Sequence, residues 1–496
     1  MKKYITMLKY VCCFSILLSI LSCADDELFR ETNTNKEGFA TLDANLLLTT
    51  VQASISGGRR EQWRTNLVYG EGIVQHLGGS WAASEYGAFY KHNEDYESAL
   101  WTTNYGDGIV RDLIDIQERT KDKEEFTNLN AIAKIIKVMV FQRLTDTYGN
   151  VPFSEAGLGF YQNIYLPKYD NQQEIYTQFF ILLEEAFQQL NENADEVTGD
   201  NFYGGDIAQW KKMANALRVR CAMRISMVDE AKAITEINAA ISNGLFESNA
   251  DNCFGHHDNT PFNISGAEKS GNGFSQALKG AGAIYDHPTE IILSKLTNDP
   301  RKELWFLPGA TGVIEGVSAN NFRWDHPGGS GNLGVIQPII SNNDSPYLHL
   351  SYSEVQLLLA EASQRNLIVG NVQEHYQKGI EAGILQWTSY GATVDASAAT
   401  AFAASKTLTP GNEIEEIATQ QWLTLFTNGM EAYANLRRVN FPILDAVTRL
   451  DSQTNGVMPN RLGYPVEEST VNKKNYETAN AQYPEGWLSR VWWDIN

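Results

Sequence analysis

The chain has 496 residues, of which 43% are hydrophobic and 11% aromatic, and its formal net charge is −21. This composition is sufficient for a large hydrophobic core in one or two domains. The excess of negative charge argues against binding to nucleic acid and against charge-driven binding to anionic lipid. The eight histidines are scattered and no CxxC pair stands outside the first 22 residues, so no metal or other cofactor is predicted.

Residues 1–22 have the pattern of a secretory signal peptide. Three lysines form a positive head, residues 10–21 form a short apolar run, and Ser22 is the small residue that precedes a cleavage site. The apolar run is too short to span a bilayer, and no later stretch approaches eighteen apolar residues. The mature chain is therefore predicted not to cross a membrane.

Cys23 is the predicted site of lipidation. The run Ile-Leu-Ser-Cys that ends at Cys23 resembles a bacterial lipobox, which implies acyl groups on the cysteine sulfur and on the new amino terminus. Several acyl chains give a stable anchor, because each buried CH₂ contributes about 0.8 kcal/mol. Plain secretion with an unmodified Cys23 is the alternative. Acidic residues follow the cysteine directly, so residues 23–39 are predicted to form a flexible, solvated tether.

Helical spacing of apolar residues indicates a mostly α-helical fold for the rest of the chain. Residues 40–496 are interpreted as one domain, with a helical scaffold at 40–248, a loop-rich insert at 249–346 and a C-terminal helical part at 347–496. Antiparallel helix pairs stacked as in a solenoid are expected, although no repeat of fixed period is found. The predicted helices are 46–55, 61–76, 101–117, 129–148, 172–190, 206–228, 230–241, 351–366, 372–387, 413–427 and 431–439.

The helix predicted at 129–148 carries the most specific run of the sequence at its end. Residues 142–156 read QRLTDTYGNVPFSEA. Gly149 can adopt the left-handed turn that follows a helix, and Pro152 cannot continue one. This run resembles a signature of the SusD/RagB family, the surface nutrient-binding lipoproteins of Bacteroidetes.

Arg143, Asp146 and Tyr148 crowd around the same helix end. They could form a catalytic cluster, or a buried ion pair with a tyrosine hydroxyl that fixes the turn. The structural interpretation is favoured, because an arginine lowers the pKa of a single neighbouring carboxylate and so makes it a poor acid–base catalyst.

Further runs extend the resemblance over nearly the whole mature chain, in the order found in the family. They lie at 206–226, at 353–362 and between 461 and 479. The resemblance implies a SusD-like helical fold that contains tetratricopeptide-like helix pairs. It also implies that the acidic residues 25–27 direct the lipoprotein to the cell surface, where it is anchored in the outer membrane.

Aromatic residues in two loop regions are the candidate ligand-binding site. Flat rings with polar tips suit oligosaccharides, which present hydroxyl edges and apolar C–H faces. One set lies in a loop after the second predicted helix, and the other lies in the insert, where long irregular segments are usually functional or disordered. Packing of each ring against the helical body is the alternative. The candidates are Trp81, Tyr86, Tyr90, Trp305, Phe322, Trp324 and His326.

Several other residues are assigned to structure instead. In the run 298–301, Asn-Asp-Pro-Arg, the aspartate and arginine are expected to fix a turn. Beyond Cys23 only Cys221 and Cys253 remain, and both a disulfide and two separate thiols are open. Four tryptophans on helical faces or in family motifs are predicted to be core residues: Trp101, Trp210, Trp422 and Trp487.

The resemblance implies a surface lipoprotein that captures a nutrient, foremost an oligosaccharide or other glycan, and passes it to a SusC-like TonB-dependent transporter. Peptide binding, as in the RagB branch, is the second hypothesis. A surface hydrolase is the third, but the 60 acidic residues guarantee chance carboxylate pairs, and neither G-x-S-x-G nor H-E-x-x-H occurs. The chain is therefore predicted not to be an enzyme.

Overall fold

The structure is a computed structural model that describes residues 43–78, 85–261, 270–280, 287–307, 336–448 and 451–495. Most of these residues are helical and few are in strands, so the predicted mostly α fold is confirmed. The predicted signal peptide, the tether and Cys23 lie outside the described residues. Among the residues described, no helix is long and apolar enough to cross a membrane.

The longer helices form the scaffold of the fold. They are α1 (Ala44–Gly57), α2 (Ile109–Thr120), α3 (Thr127–Tyr148), α4 (Gln172–Gln189), α5 (Ile207–Ile225), α6 (Glu230–Asn243), α7 (Tyr352–Gln364), α8 (Val372–Leu385), α9 (Ala396–Ser405), α10 (Glu413–Thr424) and α11 (Gly429–Val439). Two π-helices, Gln62–Glu71 and Thr102–Gly106, lie between α1 and α2.

Short elements connect these helices. The strands are β1 (Leu77–Gly78), β2 (Cys253–Gly255), β3 (His287–Pro288) and β4 (Tyr347–Leu350), and they pair antiparallel as β1 with β3 and β2 with β4. The short helices are Arg59–Glu61, Glu85–Ala88, Glu94–Glu97, Ala99–Trp101, Gly159–Gln162, Gly273–Gly280, Glu290–Lys295, Arg301–Trp305, Pro338–Ser341, Glu468–Val471 and Lys473–Asn480, with 3-10 turns at Glu124–Phe126, Asn249–Asp251, Gln386–Tyr390 and Gly486–Leu488.

Helices that follow one another in the chain pack against each other. The pairs α3 with α4, α5 with α6, and α7 with α8 make the most extensive contacts, and α5 also packs against α7. This is the helix pairing that the sequence predicted. A single core of buried side chains runs from Ala44 in α1 to Trp493 near the C-terminus, and a smaller one lies under α8 and α9.

Two predicted helices differ from those in the structure. The helix expected at 101–117 is broken, because Gly108 takes a left-handed conformation with φ of +100° and α2 begins only after it. Much of the stretch expected as a helix at 61–76 is the π-helix Gln62–Glu71. Helix α9 was not predicted, because its alanine-rich sequence lacks the apolar periodicity on which the prediction depended.

The end of α3 confirms the predicted stop at Gly149. Gly149 has φ of +83°, and a Cβ there would lie 2.2 Å from the hydroxyl oxygen of Tyr483. Glycine is therefore required both by the backbone conformation and by the close approach of the C-terminal segment. Arg461 donates to the carbonyl oxygen of Tyr148 at 2.9 Å and satisfies the helix end.

Arg143, Asp146 and Tyr148 have structural roles, but the partners differ from those predicted. Arg143 pairs with Glu61 at 2.7 Å, and the Nε atom of Arg224 lies 3.2 Å from Asp146. Burial raises the pKa of Asp146, and the opposite effect of the nearby Arg224 is smaller. The lowering of this pKa that was expected from the sequence is therefore wrong. The Tyr148 hydroxyl donates to a backbone carbonyl oxygen at 2.5 Å.

The remaining structural assignments can be compared directly. Arg301 donates to the carboxylate of Asp299 at 2.6 and 3.0 Å, which confirms the predicted turn. Cys221 and Cys253 are both buried and both free, so the two thiols are separate. The four tryptophans predicted to be core residues, Trp101, Trp210, Trp422 and Trp487, are all buried.

Candidate ligand-binding site

Trp81, Phe322, Trp324 and His326 lie outside the described residues, but the residues at the bases of their segments are described. In the β1–β3 pair, Gly78 opposes His287, so the described residues that flank segments 79–84 and 281–286 lie side by side. The ends of segment 308–335 are held together by an antiparallel bridge between Phe306 and Ile336.

The side chain of Phe426 connects these two bases. Its ring centroid lies 5.8 Å from that of His76, which immediately precedes β1, and 5.6 Å from that of Phe306. The described residues that precede these two segments in the chain, His76 and Phe306, are therefore connected through one shared aromatic ring.

Trp305 is part of this base, and its assignment as a ligand contact is corrected. Its ring stacks on Phe426 at 4.5 Å with an interplanar angle of 23° and meets Trp387 edge to face at 5.7 Å. Only 1% of Trp305 is exposed, so its indole has no free face for a ligand. The short helix Arg301–Trp305, which follows the Asp299 turn, directs the ring into the core.

The assignment of Tyr90 is corrected for the same reason. Tyr90 is 3% exposed and belongs to the main core. Its backbone is left-handed with φ of +54°, and its carbonyl oxygen accepts a hydrogen bond from the amide of Gln453 at 3.1 Å. The residue fixes the turn after helix Glu85–Ala88, and its ring faces inward.

Tyr86 is half-buried and is the end of a row of three half-buried aromatic residues. The row consists of Trp63, Tyr96 and Tyr86, and each ring meets the next edge to face, at centroid distances of 5.3 and 5.2 Å. Trp63 and Tyr96 are also half-buried, so each retains accessible ring surface. Helix Glu85–Ala88, which carries Tyr86 and follows segment 79–84 in the chain, packs on the π-helix that carries Trp63.

Arginine side chains border the aromatic row. The guanidinium of Arg59 lies 4.6 Å from the ring centre of Trp63, and that of Arg64 lies 5.3 Å from Tyr96. Such cation–π contacts hold the rings in fixed orientations. Arg64 also pairs with Asp95 at 3.0 Å. Burial raises the pKa of Tyr96, so its hydroxyl remains a hydrogen-bond donor at neutral pH.

A polar groove of about 670 Å³ lies beside the aromatic row. Trp101 and Tyr105 lie at its inner wall, and the charged residues Arg60, Glu94 and Glu467 also line it. Rings, carboxylates and guanidinium groups in one region are suited to sugar C–H faces and hydroxyl groups. Within the described ranges, no group of three or more His, Cys, Asp or Glu side chains is placed to hold a metal ion.

Sequence reasoning missed Trp63 and Tyr96. Trp63 falls in a stretch predicted to be helical, where a tryptophan is ordinarily assigned to the core, and the sequence does not reveal which helix face remains uncovered. Tyr96 follows the loop of the first candidate set, and no local pattern distinguishes it from a ring of the core. Its neighbour Asp95 pairs with two arginines of the preceding helical region, a contact that the sequence does not reveal.

A helical scaffold with partly accessible aromatic residues and a polar groove is typical of a ligand-binding protein. Residues 36–465 match the family model described as SusD-like, starch-binding and associating with the outer membrane. The chain therefore belongs to the SusD-like family, as its sequence motifs predicted. Members of this family are binding proteins, which agrees with the prediction that the chain is not an enzyme.

Solved structures support the same conclusion. A protein named as chitin-binding is 42% identical, with a TM-score of 0.85, and the match covers 92% of this chain and all of that one. A Bacteroidetes protein named AC2a SusD-like is 28% identical over the same shares of the two chains, with a TM-score of 0.81. A SusD homologue from Parabacteroides distasonis, 22% identical, covers 92% and 98% of the two chains with a TM-score of 0.76 and shows the shared fold. No curated protein matches the chain.

Proposed function

We propose that this chain is a lipid-anchored protein on the surface of the outer membrane, which binds a glycan and delivers it to a SusC-like TonB-dependent transporter. The observation that carries the glycan assignment is the half-buried aromatic row Trp63–Tyr96–Tyr86 on the helical scaffold. The starch-binding description of the family and the chitin-binding name of a 42% identical structure support it. The predicted lipobox at Cys23 supports the anchor.

The ligand site is proposed to consist of Tyr86 together with Trp81, Phe322, Trp324 and His326, extended by Trp63 and Tyr96. Peptide capture by strand addition would require a long sheet edge. In the described part of the chain the strands are two to four residues long and are paired with each other, which favours a ring-stacking ligand over an extended peptide.

Removal of a ring from the site is expected to weaken glycan binding without loss of the fold. A ring stacked on a sugar is assigned about 1–3 kcal/mol, by analogy with bases stacked on aromatic side chains, so Trp81→Ala, Trp324→Ala and Tyr86→Ala should each lower affinity about tenfold or more. Titration calorimetry with chitin and starch oligosaccharides would measure this, with the melting temperature recorded in parallel.

Tyr165→Ala is the matched control for these variants, because it removes an exposed ring outside the proposed site. Its affinity should equal that of the unaltered chain. If Tyr86→Ala lowers the melting temperature by several degrees and leaves the affinity of the folded protein unchanged, Tyr86 is a core residue and the site assignment fails there. Binding of peptides but of no oligosaccharide would overturn the glycan assignment.

Replacement of Cys23 by alanine is expected to move the protein from the detergent phase to the aqueous phase on phase partition of cells that express it. The reason is that the acyl chains are the proposed source of membrane affinity. Replacement of residues 25–27 by three alanines is the companion experiment. That variant should retain lipidation but be less accessible to external protease. For Cys23→Ala, unchanged membrane association would contradict the proposed lipid anchor.

A further inference from the structure

An apolar groove of about 300 Å³ lies on the surface between α1, α2 and the short helix Gly159–Gln162. Leu47, Phe160 and Tyr161 contribute its apolar lining. Phe160 is 86% exposed, and its ring rests edge to face on Tyr161 at 5.1 Å. This groove is separate from the aromatic row and has no part in the proposed ligand site.

The rigid setting of this groove indicates a formed binding surface. The Tyr161 hydroxyl donates to Asp115 on α2, and Arg119 pairs with the same carboxylate at 2.7 Å. Gly157 has φ of +75°, and a Cβ there would lie 2.8 Å from the Ile114 side chain, so glycine lets this turn approach α2 closely. The charged side chains that line the groove are paired with one another. The rest of the lining is apolar and suits an apolar occupant.

The N-terminal end of the described chain lies close to this groove. Helix α1 begins after Asp43, whose side chain caps it by accepting from the amide of Asn45, and Leu47 lies about one turn into the helix. The described chain therefore begins about 6 Å along α1 from a residue that lines the groove. The four residues from Phe39 to Asp43 can span at most about 14 Å when extended.

The match to the SusD-like family begins at residue 36, seven residues before Asp43. Residues 36–42, Lys-Glu-Gly-Phe-Ala-Thr-Leu, therefore fall within the family domain, although they were partly assigned to the tether. Phe39 is the large apolar side chain at the middle of this segment, and burial of a phenylalanine on an exposed ring removes apolar area of both residues from water.

We propose that the groove is the binding site for residues 36–42 of the same chain, with Phe39 packed on Phe160. This inference does not depend on the proposed ligand. It limits the free tether to residues 24–35, which extend over about 40 Å at most, whereas residues 24–42 would reach about 65 Å. The docked segment thus determines how far a lipid anchor at residue 23 allows the domain to move from the membrane.

Limited trypsin digestion of the soluble chain from residue 24 tests the proposal. Lys36 and Arg30 are both followed by glutamate, so the two trypsin sites have the same residue after the cleaved bond. Cleavage after Lys36 should be at least tenfold slower than after Arg30, and Phe160→Ala or Phe39→Ala should abolish that difference. Phe29→Ala, in the free tether, should leave it unchanged. Because Phe160 is exposed, its replacement does not endanger the fold.

Equal cleavage at Lys36 and Arg30 in the unaltered chain would overturn the proposal. So would protection of Lys36 that survives Phe160→Ala. If Phe160→Ala reduces the amount of a co-purified transporter without any change in cleavage at Lys36, the groove is an interface with that partner and the N-terminal segment is not its occupant. Loss of protection in both variants, and in the double variant to the same extent, supports the pairing of Phe39 with Phe160.

Discussion

Replacement of Glu361 by glutamine is expected to lower the free energy of unfolding by about 3 kcal/mol at pH 7. Glu361 on α7 is 1% exposed, and both of its oxygens accept from Arg438 on α11 at 2.6 Å. The variant takes the ionised carboxylate of Glu361 away from the buried Arg438 guanidinium, and loss of a charge partner in the interior is far more costly than the loss of an exposed pair. Urea denaturation followed by circular dichroism would measure the difference.

The effect should depend on pH in a defined direction. Burial disfavours the ionised carboxylate, but Arg438 outweighs burial and lowers the pKa of Glu361 to about 2. In the unfolded chain the pKa of a glutamate is about 4.3. The stabilisation is therefore complete above about pH 4.3 and is lost as the pH falls towards 2, and the difference between the two proteins should shrink over that interval.

Glu374→Gln on the neighbouring α8 is the control. Glu374 pairs with Lys378 at 2.7 Å, but the two side chains are 54% and 47% exposed, and water screens the pair. This variant should unfold at the same urea concentration as the unaltered chain. If Glu361→Gln does so as well, the buried pair between Glu361 and Arg438 does not stabilise the fold.

The end of α3 and the ion pairs near it show which features the sequence predicts and which it does not. The end of α3 was predicted correctly, because its causes, a glycine with a left-handed conformation and a nearby proline, are local. The partners of Arg143 and Asp146 were not predicted, because Glu61 and Arg224 belong to other helices. Family motifs identified the overall fold, but pairing between distant residues depends on how the helices pack.

The candidate site shows the same difference between local features, which the sequence predicts, and long-range packing, which it does not. Aromatic residues in loop-like sequence were recognised, yet two described candidates, Tyr90 and Trp305, are core residues. For Trp305 the decisive contact is with Phe426, which is over a hundred residues away in sequence. Trp63 was missed for the converse reason, since a helical tryptophan was presumed to be buried. Burial on one side of a helix is a property of the whole packing and is not encoded in the local pattern.

Replacement of Gly429 by alanine is expected to destabilise the protein by about 1–3 kcal/mol and to weaken ligand binding as well. Gly429 begins α11 where it crosses the π-helix Gln62–Glu71. A Cβ at Gly429 would lie 2.3 Å from the amide nitrogen of Glu71 and 2.7 Å from the carbonyl oxygen of Asn66. Both are backbone atoms and cannot rotate away, so one of the two helices must shift.

A displacement of Glu71 should also affect the proposed ligand site, through the segment that carries Trp81. The Glu71 carboxylate holds the buried ring of His76 at 2.7 Å, and His76 immediately precedes β1 and the segment that carries Trp81. Melting temperature and oligosaccharide affinity should therefore fall together in Gly429→Ala. In the control Gly58→Ala, the new Cβ would meet its nearest atoms at 3.6 Å with no left-handed backbone, and both quantities should be preserved. Equal stability of the two variants would show that the crossing of α11 over the π-helix tolerates a side chain.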